Sequence, residues 1–211
     1  MSRITILGTG GMAEAIGGLA VRAGHDVEVS GRDLAKAQAL ASRIGGGAFT
    51  IPFRERPTGA IVILAVPYTS VLGVVRDYGE ALAGKRLVDI TNPISADLKA
   101  FLTPLHSSGA QEIARAAPAN AVVVKAFNTQ NAAVLSASPV DGRTLDVFVA
   151  GDDAAAKSQV SDFIDSLGLR ALDVGPLTMA RSLEHACMLW LGLMTHSIKH
   201  PNFSLGVRLV G

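Results

Sequence analysis

The stretch Arg3-Ile4-Thr5-Ile6-Leu7-Gly8-Thr9-Gly10-Gly11-Met12-Ala13 decides the fold. Ile4 to Leu7 are apolar or β-branched, so residues 3–7 read as a short buried strand. Gly8 to Ala13 follow as G-x-G-x-x-A, and Met12–Ala23 then reads as a helix. Strand, glycine turn and helix is the context in which this pattern binds a dinucleotide. Gly8 lets the chain turn tightly. Gly10 has no side chain to hold the backbone away from a pyrophosphate, and Ala13 lets the helix pack closely on the strand. Gly11 completes the turn, and the helix N-terminus offers free N–H groups to the phosphates.

Outward from this turn, strands and helices alternate. Asp26–Ser30 is a second strand. Leu34, Ala37, Ala41 and Ile44 make a helical face that ends at Gly45–Gly47. Ala48–Ile51 forms a short strand. Ala60–Val66 is a continuous apolar run, as expected of a strand buried on both faces of a parallel sheet. Val71, Val74, Val75, Tyr78 and Leu82 face one way on a helix. Arg86–Ile90, Gln111–Ala117 and Ala121–Ala126 read as strand, helix and strand. Leu145–Ala150 and Leu169–Val174 flank a helix with Val160, Phe163, Ile164 and Leu167 on one side. Leu177–Ile198 reads as one final helix, apolar almost all round and so buried in a core or an interface. The pattern predicts a doubly wound α/β, Rossmann-type parallel sheet over residues 1–143. A small α/β C-terminal lobe, 144–211, is expected to complete an acceptor pocket.

Composition removes other classes. Lys+Arg 19 against Asp+Glu 18 gives +1, which attracts neither nucleic acid nor an anionic membrane. Aromatics at 5% argue against base-stacking platforms. The single cysteine, Cys187, excludes a disulfide framework. Pro57 to Val75 is uncharged and 19 residues long, but Pro57, Gly59 and Pro67 break it into strand, turn and helix. Glu14 falls inside what would be a signal peptide's apolar region, so a cytoplasmic location is expected. The 22 glycines in a non-repetitive chain suggest close backbone approaches.

The second strand ends at Ser30 where an NAD site would place an acid, and Arg32 and Lys36 follow. A hydroxyl and a guanidinium suit a 2′-phosphate, which favours NADP(H). Asp33 reads as a helix cap. His25 lies in the turn before the second strand and reads as structural. The other histidines show no metal-ligand spacing, so no metal site is expected. No dedicated catalytic residue stands out either. Hydride transfer between flat rings needs alignment and water exclusion more than an acid or base. Sites of that kind form at the carboxyl ends of parallel strands, where Ala65-Val66-Pro67-Tyr68, Thr91-Asn92-Pro93-Ile94 and Ala126-Phe127-Asn128-Thr129 fall. Asn92, Asn128 and Thr129 could fix a carboxamide or ribose.

These pieces, with Ser30-Gly31-Arg32, Lys125, Ala150-Gly151-Asp152-Asp153 and Asp173-Val174-Gly175-Pro176-Leu177, run in order over the whole chain. Together they resemble the NADP-dependent oxidoreductases of the deazaflavin coenzyme F420, whose nucleotide fold is shared with the reductase domain of the STEAP metalloreductases. The resemblance implies hydride transfer between NADP(H) and a deazaflavin or flavin-like ring stacked on the nicotinamide. It implies Gly8, Thr9, Gly10, Met12 and Ala13 at the pyrophosphate, and Ser30 and Arg32 at the 2′-phosphate. It also implies Pro67 and Ala126–Asn128 beside the nicotinamide, with Thr178 and Met179 near the acceptor. An anionic tail would meet Arg181, Lys199 or Arg208. Where the deazaflavin enzymes commonly carry a histidine, this chain reads Phe127-Asn128-Thr129. The apolar last helix hints at a homodimer. Two other readings stand beside this one. The first is an NADPH-dependent reductase of a small imine or carbonyl compound, with Tyr68 or Thr129 as proton donor. The second is a non-catalytic NADP(H)-sensing module.

Overall fold

A computed structural model describes residues 2–139 and 142–210. The chain folds as β1 (Arg3–Leu7), α1 (Gly11–Arg22), β2 (Asp26–Ser30), α2 (Leu34–Ile44), β3 (Phe49–Thr50), β4 (Ile61–Leu64) and α3 (Tyr68–Tyr78). A 3₁₀ turn, Gly79–Leu82, leads to β5 (Arg86–Asp89), α4 (Gly109–Ala116), β6 (Val122–Lys125) and α5 (Ala132–Ser136). Then come β7 (Asp146–Gly151), α6 (Ala154–Ser166), β8 (Arg170–Asp173) and α7 (Ala180–Gly192). The eight strands lie in the order β3-β2-β1-β4-β5-β6-β7-β8. Strand order reverses about β1, so β1 and β4 flank a crevice at their carboxyl ends, where such sheets bind ligands. Among the described residues, no helix is long and apolar enough to cross a membrane.

The central strands are buried because helices cover both faces. One apolar layer joins Ile4, Ile6 and Val29 to Ile16 and Leu40 on α1 and α2, and to Val160 and Phe163 on α6. The other joins Leu64 and Leu87 to Val71 and Val75 on α3 and to Ile113 on α4. Side-chain caps set the helix starts, with Asp33 accepting from the Lys36 N–H and Asp153 from the Ala156 N–H. His25 has the structural role expected of it. Its ring bridges Ser2 and Ser166 at 3.0 and 2.8 Å, at the sheet end away from the crevice.

The C-terminal third departs from expectation. β7 pairs antiparallel with β6, with Lys125 opposite Ala150 and Val124 opposite Gly151. Parallel pairing would need a connection that crosses back over the sheet. Between β6 and β7 the chain forms instead the short helix α5, which the sequence pattern missed, and α5 packs beside α1. β7 and β8 thus continue the same sheet at its edge. The final helix is not continuous. A 3₁₀ turn at Leu177–Met179 precedes α7, and a π-helical turn at Leu193–Ile198 follows it. Nor is it buried all round. Of α7, only Ala180, Leu183 and Glu184 are buried, and Leu189 is 59% exposed.

Candidate functional site

The glycine turn has the geometry its sequence requires. Gly8 sits at φ +134°, and its N–H donates to the Ser30 carbonyl at 2.8 Å. A Cβ there would lie 2.0 Å from the Ala65 carbonyl oxygen, so β1, β2 and the end of β4 meet over a residue that must be glycine. Gly10 precedes α1 with no side-chain cap, and a Cβ on Gly10 would point into open space. The first N–H groups of α1 therefore lack a side-chain partner. Ala13 is fully buried and Met12 packs on the core, so these two shape the helix rather than offer side chains. Gly11 is exposed, and its Cα passes close to Ala132 of α5.

A cavity of about 270 Å³ opens over this turn. Gly8, Thr9, Gly10, Ser30, Arg32, Lys36, Ala65, Val66 and Pro67 all line it, together with Phe53 and Tyr78. Arg32 is exposed and has no ion-pair partner among the described residues, while Lys36 sits loosely beside Asp33 at 3.8 Å. Ser30 behaves differently from its expected role. Its side chain is buried, and its hydroxyl shares a 2.7 Å hydrogen bond with the Tyr78 hydroxyl and donates to the Pro52 carbonyl at 3.3 Å. Burial pushes the Tyr78 hydroxyl above its ordinary pKa, which keeps this pair neutral. Arg32 and Lys36 are the cations that line this cavity, and Ser30 lines it beside them.

At the carboxyl ends of β5 and β6 two loops clasp each other. Asn92 Nδ2 donates to the Asn128 carbonyl at 2.8 Å, and Asn128 Nδ2 donates back to Asn92 Oδ1 at 2.9 Å. Asn128 Nδ2 also reaches the Leu183 carbonyl on α7 at 2.9 Å. Phe127 adopts φ +61°, a left-handed conformation that turns the chain sharply out of β6. Ala126 and Phe127 bury their side chains in the core and so present only backbone here.

A second cavity of about 540 Å³ adjoins the first and shares Val66 and Pro67 with it. Tyr68, Thr91, Asn92, Ile94 and Leu102 contribute to its wall, which carries no charged residue. Burial and the nearby carboxylates of Glu112, Glu184 and Asp89 push the Tyr68 hydroxyl up to about 12, so it stays protonated.

Thr178 and Met179 do not reach this region. Gly175 accepts from the Gly151 N–H, and Leu177, just before them, packs with Val123 and Ala121 toward the amino end of β6. From there α7 climbs roughly 16 Å between Ala180 and Leu191 at helical rise. The residues it brings to the strand ends are Leu183, Glu184, Cys187, Trp190 and Leu191. Their approach comes from the antiparallel β7, which no local pattern announces. Cys187 lines a small cavity beside Asn92 and Asn128, where burial pushes its thiol up to about 11.

The donor set fits an NADP dinucleotide. The Gly8 turn tolerates no Cβ, and among the described residues Arg32 has no ion-pair partner and two buried oxygens at the far end have no hydrogen-bond partner. These last are Thr91 Oγ1 and Asn128 Oδ1, and they suit the N–H groups of a carboxamide.

A dinucleotide-dependent oxidoreductase is the class that this fold and cradle define. A family model described as NADP oxidoreductase, coenzyme F420-dependent, matches residues 3–93. The F420-dependent NADP reductase of Methanocaldococcus jannaschii is 32% identical over 72% of this chain and 68% of its own. The chain belongs to this family of NADP-dependent oxidoreductases. It is also 31% identical, over 86% of its length, to the metalloreductase STEAP3 of Rattus norvegicus, of which it spans only 36%. A solved structure from Arthrobacter sp. FB24, described as a candidate F420-dependent NADP reductase, superposes with a TM-score of 0.87. It is 28% identical and covers 99% of this chain, with 100% of that one. The imine reductase of Aspergillus terreus, 18% identical with a TM-score of 0.68 over 92% of this chain and 61% of that one, shares the fold.

Proposed function

We propose that the protein transfers hydride between NADP(H) and a deazaflavin of the coenzyme F420 type. The observation that carries this reading is the shared wall at Val66-Pro67. One cavity covers the glycine turn and Arg32, where the phosphates and adenosine would lie, and a second, whose wall among the described residues is uncharged, opens directly beside it at Asn92, with room for flat rings. When bound, NADPH supplies the hydride. The turn at Gly8–Gly10 and the start of α1 hold the pyrophosphate, and Arg32 and Lys36 take the 2′-phosphate. Asn92 and Asn128 orient the carboxamide. Pro67 fixes the loop between the two cavities, so the rings meet in a preset stack from which water is excluded. Thr178 and Met179 have no part in this arrangement.

The test mixes the protein with NADPH and, separately, coenzyme F420, FMN, FAD, a ferric chelate and a cyclic imine. Nicotinamide and acceptor absorbance are followed together. Turnover with the deazaflavin above the flavins supports the reading. Turnover with the imine alone favours the imine-reductase reading instead, with Tyr68 or Thr129 as proton donor, and no turnover with any acceptor leaves the sensing module.

A further inference from the structure

Beneath the two clasped loops lies a buried ionic cluster. Lys125, the last residue of β6, is fully buried. Its ammonium donates to Asp89 Oδ2 at 2.7 Å, to the Thr91 carbonyl at 2.5 Å and to Glu184 Oε1 at 3.2 Å. Asp89 ends β5 and accepts the Thr91 N–H at 2.8 Å. Glu184 on α7 accepts the Gly109 N–H at 2.9 Å. A Cβ on Gly109 would come within 3.2 Å of that carboxylate and 2.9 Å of the Tyr68 ring. Glycine at this position keeps the approach open.

Such a cluster is a poor way to gain stability. Well-packed apolar residues of similar volume commonly do as well or better than a buried ion group, because desolvation is costly. What this cluster does provide is position. It grips both the N–H and the C=O of Thr91, fixing the peptide groups on either side of that residue. The next residue, Asn92, makes the amide pair with Asn128; Asn92 lines the second cavity, and both line the small one beside Cys187. Leu183, beside Glu184, accepts from that same Asn128. Two ties, one ionic and one amide, therefore join the same three elements. Asn128 spends its N–H groups within them, and its buried Oδ1 remains without a protein partner.

We infer that Lys125 is a positioning residue: with Asp89 and Glu184 it sets the Thr91–Asn92 segment and the Asn92–Asn128 pair to receive the nicotinamide carboxamide, and it makes α7 part of that geometry. The inference rests on the NADP(H) reading above.

The test replaces all three charges together, Asp89→Leu, Lys125→Met and Glu184→Leu, so that no ion is left unpaired. Two affinities are measured by calorimetry, for NADPH and for 2′,5′-ADP, which lacks the nicotinamide. The triple variant should fold and melt lower, because the Thr91 N–H and C=O and the Gly109 N–H lose their partners, and it should still bind 2′,5′-ADP as the wild type does. Its preference for NADPH over 2′,5′-ADP should fall about tenfold, and kcat about 10–100-fold, the scale of a misplaced reacting group. Glu184→Gln, which keeps an oxygen for the Gly109 N–H but removes one charge from the cluster, should show both losses in smaller measure and decides the matter if the triple variant does not fold. A folded variant that keeps the wild-type nucleotide preference and kcat overturns the inference. If no acceptor turns over, the hydride-transfer reading fails and the nucleotide preference alone decides this one. A wild type that binds neither nucleotide overturns both.

Discussion

The two ends of the dinucleotide crevice are built by different means. The phosphate end is local and made of backbone: a glycine turn, a helix start and a strand end, all within residues 3–36. The nicotinamide end is assembled from side chains far apart in sequence. Asn92 and Asn128 are 36 residues apart, Asn128 and Leu183 are 55 apart, and Lys125 and Glu184 are 59 apart. A backbone site fails when a side chain intrudes. A side-chain site fails when a partner element shifts, so the two ends should respond to substitution in opposite ways.

The largest break is expected at the phosphate end. Gly8→Ala forces a Cβ to within 2.0 Å of the Ala65 carbonyl at a φ of +134°. It should cost about 3 kcal/mol or more of stability, as strain at a special backbone position does, and abolish binding of NADPH and NADH alike. Chemical denaturation and nucleotide titration check both. A stable variant that binds either nucleotide would show that the turn is not the anchor.

Arg32→Ala sharpens the same end. It should weaken NADPH and 2′,5′-ADP together by about 1–3 kcal/mol, the scale of a lost charge-assisted bond, and leave NADH unchanged. Equal losses for NADPH and NADH would remove the 2′-phosphate role. Ser30→Ala goes the other way from its neighbour. Its hydroxyl faces Tyr78 and Pro52, so the substitution should cost about 1 kcal/mol of stability and barely touch NADPH affinity. A large affinity loss with unchanged stability would return the hydroxyl to the phosphate.

This contrast also explains what the sequence could and could not tell. Gly8–Ala13 announced itself because the pyrophosphate, the turn and the helix start impose their needs on consecutive residues. Arg32 was legible by its place after β2. The bond from the Ser30 hydroxyl to Tyr78 was not legible, because Tyr78 lies 48 residues away. That Thr178 and Met179 stand apart from the strand-end cavities was illegible for a related reason. A strand looks alike whichever way it runs, so nothing in 145–150 shows that β7 reverses and carries Leu177 toward the wrong end of the sheet. Lys125 sat in plain view inside an apolar strand run, Val122–Lys125, and a charge at such a position was the available signal. Lysines are seldom fully buried unless paired, so it called for two carboxylates from elsewhere.

The smallest expected effect lies at the edge of the sheet, at the start of β7, where only the Asp146 carbonyl meets the Asn128 loop, through the Gln130 amide at 2.6 Å. Asp146 at the start of β7 accepts from Arg170 Nε and Nη2 at 2.5 and 2.8 Å and from the Val207 N–H at 2.6 Å. It thereby ties the C-terminal segment to β7 and β8. Burial alone would push this carboxyl up, but the Arg170 and Val207 hydrogen bonds and the guanidinium charge outweigh it and hold the group below its ordinary range. A depressed folded pKa contributes stability above the unfolded value, about 3.9 for an aspartate, and loses it as pH falls through the lower folded value. Melting temperatures of the wild type and Asp146→Asn, compared from neutral pH down into the acid range, should therefore differ by a constant amount near neutrality and converge in acid. NADPH affinity should be the same in both at neutral pH, since among the described residues the Asp146 side chain bonds only to Arg170 and Val207, and the Gln130 bond is to its carbonyl, which the substitution leaves in place. A gap that persists unchanged into acid would mean that shape rather than charge holds the segment. A loss of NADPH affinity would mean that the edge strands are coupled to the crevice, and the division between a local end and an assembled end would then have to include them.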